Sequence, residues 1–221
     1  MPRGILARPA LVALVLLTLS ATPAPPIVPR AVALAAGGLA RVVDAEGVTV
    51  ALAYPVSNAQ YLSAAAPVET AGAMRLAFRN GETVPVTRQI PDVPTGLVLL
   101  VVAGHPGTMS SIASAERPLF GRRLYAPQVS GARWAWAVGW AWSVKDDWLR
   151  TDHEPALLYP GTPLFTADGR LAGVALFRGE PEDPISEEDG MLMIGPTGPV
   201  TVAVGPEGLQ TALARLQASI Q

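Results

Sequence analysis

The sequence predicts an all-β fold of two six-stranded β-barrels followed by one C-terminal α-helix. Three observations carry that expectation. Between Val48 and Val204 the apolar residues fall in short runs rich in Val, Leu and aromatics, separated by turn residues. A polar stretch of small residues, 105–120, divides those runs into two sets of about six. Only Gly208–Gln221 has helical spacing, with Leu209, Ala212, Leu213, Leu216 and Ile220 on one side.

The elements follow in order. At the N-terminus, Arg3 and Arg8 precede the apolar run Leu11–Leu19, and a Pro/Ala-rich stretch comes next. A charged start, a short apolar run and small residues afterwards form the pattern of a secretory signal. Residues 1–33 are therefore read as a signal peptide with its leader, and the location as secreted or periplasmic. Ala31-Val32-Ala33 has the small-x-small form of a cleavage site, whereas Pro25 disfavours a cut after Ala24. An uncleaved anchor is the alternative, and a membrane enters only through it; the run is short for a span.

Residues 34–104 are assigned to the first barrel. Its runs are VTVALAYPV, QYLSAA, MRLAF, VPVTRQI and GLVLLVVAG. Asn80-Gly81 between the third and fourth runs is a hairpin signal, because both residues tolerate positive φ. Residues 105–120 form the linker. Residues 121–221 are assigned to the second barrel and its closing helix, with runs RRLYAPQV, RWAWAVGWAWSV, DWLR, PLFT, RLAGVALF and PVTVAV. Ala167-Asp168-Gly169 reads as the hairpin turn after PLFT, and Glu180–Gly190 as an acidic loop.

Composition excludes several functions. The chain has 221 residues, 50% of them hydrophobic and 15% charged, which is ample for a core. The net charge is −2 and there is no basic cluster, so no nucleic-acid partner is expected. With no cysteine, disulfides, thiolate chemistry and Cys-based metal sites are excluded. No cofactor and no metal are expected. The acidic stretch lacks the alternation and glycine of a calcium loop.

One segment carries a resemblance. LRTDHEPALLYPGTPLFTADGRLAGVA, from Leu149 to Ala175, resembles the nucleophile region of trypsin-like serine proteases of the HtrA/Deg type. That region runs T-D-A-x-I-N-P-G-N-S-G-G-P-L, then a D-G hairpin, then a V-x-G-I strand. Tyr61–Pro67 is similar to the family's V-L-T-A-A-H segment, and Gly96–Val102 to its D-L-A-L-L-K-V strand. Weaker echoes extend the resemblance from about Val48 to the C-terminus and imply the trypsin-like double barrel.

The resemblance also implies that the reactive positions are degenerate. The general-base histidine falls on Ala66, the orienting aspartate on Gly96 and the nucleophilic serine on Pro160. Proline has neither a hydroxyl nor a backbone N–H. One substitution thus removes the nucleophile and one oxyanion-hole donor together.

Other chemistry is limited to two histidines. His105 lies in the linker and reads as a solvated turn residue. His153 sits between Asp152 and Glu154. Neighbours on a strand point to opposite faces, so the three do not chelate one ion. The resemblance implies that this stretch walls the specificity pocket, where His153 or Glu154 would meet a ligand; a surface pair is the alternative. Trp134, Trp136, Trp140 and Trp142 alternate with small residues and share one strand face. They read either as exposed aromatics for a partner or as core; Trp148 reads as core.

The expected function is non-catalytic: an exported pseudoprotease that binds a protein or peptide partner through the remnant cleft or the tryptophan strand. Two readings stay open beside it. One is a serine-type hydrolase with displaced groups, which needs His105 or His153 within reach of a serine or carboxylate. The other is a structural envelope component held by other subunits.

Overall fold

The computed structural model describes residues 26–103, 120–131, 133–145, 147–179, 185–188, 191–194 and 198–220. The chain enters through a short helix, α1 (Arg30–Ala35), continued by a single 3₁₀ turn (Ala36–Gly38). The first barrel contains β1 (Ala40–Val43), β2 (Thr49–Ser57), β3 (Gln60–Ala64), β4 (Arg75–Phe78), β5 (Thr83–Asp92) and β6 (Leu97–Val102). They close in the order β1-β2-β3-β6-β5-β4, with helix α2 (Ala65–Thr70) between β3 and β4. The Asn80-Gly81 turn forms as expected. Gly81 adopts φ +86°, and the Phe78 N–H donates to the Glu82 carbonyl at 2.9 Å.

The second barrel contains β7 (Arg123–Ser130), β8 (Arg133–Lys145), β9 (Trp148–Thr151), β10 (Pro163–Thr166), β11 (Leu171–Gly179) and, later in the chain, β14 (Val200–Val204). The closed order is β10-β11-β14-β9-β8-β7. The Asp168-Gly169 hairpin joins β10 to β11, with Gly169 at φ +81°. Helix α3 (Pro206–Ala218) follows, with proline in its first turn, where its missing N–H costs no hydrogen bond.

Three sets of side chains fill the molecule. Tyr61, Leu76 and Leu100 fill the first barrel. The second barrel is packed more lightly, by Leu124, Leu149, Leu164 and several alanines. The largest set lies between the barrels. Tyr54, Leu62 and Leu97 of the first meet Phe165, Leu171 and Val174 of the second, under Leu209, Leu213 and Leu216 of α3. Tyr54 and Phe165 contact edge to face, with centroids 5.6 Å apart. Such a pair adds ~1 kcal/mol beyond the area it buries.

Two expectations are corrected. The packed unit begins before residue 34: Val32 in α1 is fully buried in the inter-barrel core, with Val28 packed against it. A boundary after residue 33 cuts through the helix. The acidic stretch is not loop throughout, because β12 (Ile185–Glu188) pairs with β13 (Met191–Ile194) as a separate hairpin. The linker and His105 lie outside the described residues, apart from Phe120. Among the described residues no helix is long and apolar enough to cross a membrane.

Candidate functional site

The three positions singled out by the resemblance come together at the junction of the barrels. Ala66 sits in the first turn of α2, and the preceding Ala65 N–H donates to the Gly96 carbonyl at 2.8 Å. Pro160 lies on the loop before β10, and its carbonyl accepts from Leu52 N–H of β2 at 2.9 Å. Gly161 fixes the closeness of that approach. At φ +81°, a Cβ there would collide with the Leu52 carbonyl and stand 2.7 Å from Ser63 Oγ and 3.1 Å from Ala64 N. Only glycine meets both demands.

None of these three residues has a side chain with an ionisable proton or a nucleophilic atom. The surroundings match them. Gly96, at φ +68°, faces Leu176 Cδ1, which would lie 3.7 Å from a Cβ built on it. An apolar group thus stands beside the position on which the sequence resemblance puts the orienting carboxylate. In the family the sequence resembles, two backbone N–H groups two residues apart hold the oxyanion. By the sequence resemblance those two positions fall on Leu158 and Pro160. Pro160 has no N–H, and Leu158 N–H donates to the Pro155 carbonyl at 3.3 Å within a 3₁₀ turn.

Beside this loop a pocket of about 260 Å³ opens. Pro155, Leu158, Tyr159 and Pro160 form one wall, and Ala175, Leu176, Phe177 and Thr201 the other. Leu158 and Tyr159 line the space and do not fill it. Phe177 stands at its mouth, 56% exposed. The nearby charges are engaged locally: Asp152 Oδ1 accepts from Trp140 N–H at 2.6 Å, and Glu154 caps the 3₁₀ turn through Ala156 N–H. Thr201 Oγ1 donates to the His153 carbonyl at 2.9 Å. Among the described residues, the lining of the pocket is apolar apart from the hydroxyls of Tyr159 and Thr201.

His153 itself is buried, 2% exposed, inside the second barrel against Gly139. Its Nδ1 lies 2.8 Å from Thr151 Oγ1, and that threonine is fully buried. Nε2 makes no hydrogen bond of normal geometry among the described residues. Burial, partly opposed by the Asp152 charge and the Leu124 backbone, lowers the imidazole pKa to about 4. The ring is neutral at pH 7 and does not reach the pocket surface.

The tryptophan strand presents one face, as its alternation implies. Of the small residues between the tryptophans, Gly139 and Ala141 are buried and Ala137 packs against the core of the second barrel, whereas Ala135 is exposed. The aromatic face divides. Trp134 and Trp136 pack on the inter-barrel core, and the Arg79 guanidinium sits 4.3 Å above the Trp134 ring. Trp140, 43% exposed, and Trp142 line an apolar hollow of about 420 Å³ with Phe120, and Arg123 stacks on Trp140. Trp148 packs on the core and lies 6.4 Å from Phe177.

Sequence reasoning missed one polar contact. Asp92, four residues before Gly96, is buried. Arg215 of α3 donates to both its oxygens at 2.7 Å, and Thr95 donates as well. Those hydrogen bonds hold the carboxyl below the usual aspartate range. The pair pins α3 to the first barrel at the edge of the site. No local signal links residues so far apart in sequence. Among the described residues no cluster of His, Asp and Glu could hold a metal ion.

No family model and no curated protein matches the chain by sequence. Solved structures do match. One is Rv3671c from M. tuberculosis H37Rv, a serine-to-alanine mutant in its inactive form. The TM-score is 0.64 at 15% identity, over 90% of this chain and 96% of that one. Another is the serine endoprotease from Yersinia pestis, with a TM-score of 0.67 at 18% identity, over 88% of this chain and 68% of that one.

Proposed function

The chain has the trypsin-like double-barrel fold, and on that fold we propose a non-catalytic, exported binding protein that takes an extended segment of a protein partner in the pocket beside Pro160. One observation carries the reading. The framework around the reactive positions is kept in close contact, while the positions themselves are Ala66, Gly96 and Pro160. The contacts that would assist a reaction have been replaced by Leu176 and by the Leu158–Pro155 hydrogen bond. What survives is a wall and a pocket.

The pocket's chemistry selects the partner. Its lining is aliphatic and aromatic apart from Tyr159 and Thr201, so it favours a peptide bearing a bulky aliphatic or aromatic residue over one bearing a charge. Burying such a side chain stabilises a complex by ~2 kcal/mol. The charged, then apolar N-terminal sequence supports action outside the cytoplasm. A hydrolase with displaced groups draws no support from His153, whose hydrogen-bond partner is a buried threonine.

The test is selection of peptides from a displayed library by the full chain, followed by titration of those selected. Enrichment of peptides with one bulky apolar residue is expected, and Phe177→Glu at the pocket mouth should weaken binding about tenfold or more. A library that yields no enrichment, or ligands bound equally by Phe177→Glu, would contradict the proposal.

A further inference from the structure

Among the stretches with the small-x-small form that leader peptidases cut, Ala31-Val32-Ala33 lies within helix α1 and is overlapped by Ala33-Leu34-Ala35. We infer that it is not a processing site, and that helix α1 stays with the exported chain as part of its core.

The geometry separates the two uses of that sequence. Val32 is fully buried among residues of both barrels and α3, in one cluster with Ala36 and Leu39. Val28 packs on the same cluster. The helix is also locked from outside. Gly169, in the β10–β11 turn, approaches the Ala31 backbone so closely that a Cβ there would lie 2.6 Å from the Ala31 carbonyl oxygen. The Ala33 N–H donates to the Pro29 carbonyl at 3.1 Å.

A cut after Ala33 would remove Val28 and Val32 together. It would leave a void between the barrels and place a new ammonium group at Leu34, two residues from buried Ala36. Relaxation refills a void in a packed core only in part, and the rest costs stability. The side chains that point away, Leu34 and Ile27, are 68% and 93% exposed and contribute nothing to this packing. Among the described residues, a cut before Val28 spares every core contact, and so does no cut at all. The small residues at 31 and 33 serve the helix instead: Ala31 admits the close approach of Gly169, and Ala33 faces outward.

The experiment uses the full chain with a C-terminal tag, produced in a Gram-negative host and recovered from the envelope for intact mass. The expected first residue is Val28 or earlier, Met1 included. A chain starting at Leu34 would overturn the inference. Ala33→Leu, which blocks recognition at that site and is tolerated on an exposed helix position, should leave the mass pattern of processing unchanged. Loss of a processed form would overturn it. In thermal unfolding, Val32→Asp should lower Tm by about 5 °C or more while Leu34→Asp leaves it unchanged. Should Val32→Asp not fold, Val32→Ala reads the same contact with a drop of about 3 °C; equal Tm values for the Val32 and Leu34 variants would overturn the inference.

Discussion

At Pro160, the position on which the sequence resemblance puts the nucleophile, a ring nitrogen without hydrogen neither attacks nor donates. At His153 the chemistry is set by burial. Its pKa is lowered to about 4, against an ordinary value near 6.5. The folded chain therefore resists a proton that the unfolded chain accepts. Its stabilising contribution is complete above pH ~6.5 and falls away as the pH drops toward ~4. Between pH 7 and 4.5 this amounts to about 2 kcal/mol. In urea unfolding at those two pH values, His153→Gln should lose less stability on acidification than the parent, by about that amount. Parallel losses would show that the ring is not held neutral by burial. The opposite faces of Asp152 and His153 were legible from strand alternation, and the structure has Asp152 exposed and His153 buried. The depth of His153 was not, since it depends on Gly139 of a neighbouring strand leaving room for the ring.

At the scale of elements, the strands were legible where turn chemistry bounded them. Asn80-Gly81 and Asp168-Gly169 mark two hairpins, and both glycines take positive φ. Helix α1 was not legible. An alanine-rich segment after an apolar run has the composition of a leader, and only the fold buries Val32. The tryptophan face was legible as a face, but its division was not, because Arg79 reaches Trp134 from the other barrel. The attachment of α3 was hidden for the same reason. Its apolar side docks as the spacing implies, with Leu209, Ala212, Leu213 and Leu216 buried. The Asp92–Arg215 contact, however, joins residues 123 positions apart. Asp92→Ala removes the acceptor for that helix and the Thr95 contact. It should lower Tm by about 5 °C or more, with hydrogen exchange rising first in α3. A variant as stable as the parent would mean that the apolar face alone holds the helix.

At the scale of the whole molecule, the barrels share a core larger than either keeps inside. That shared core places residues 64–66, 96 and 160–161 at one junction. The fold could be read in advance because a protease framework repeats its spacing: residues from Thr151-Asp152 to Pro163-Leu164 keep the family's length although few of them match. The pocket could not be read, because its second wall comes from β11 and β14. A kept scaffold with apolar groups at Ala66, Gly96 and Pro160 is what the proposed binding role requires, and that role rests on the site because the fold alone does not give it.

The most direct test of that claim is labelling of the purified protein by a fluorophosphonate probe, with an active trypsin-like protease as control and unfolded casein as substrate in parallel. The account predicts no labelled protein and no hydrolysis above the buffer. A covalently labelled serine, or casein hydrolysis that persists through stringent purification, would contradict it and place a working nucleophile elsewhere than residue 160.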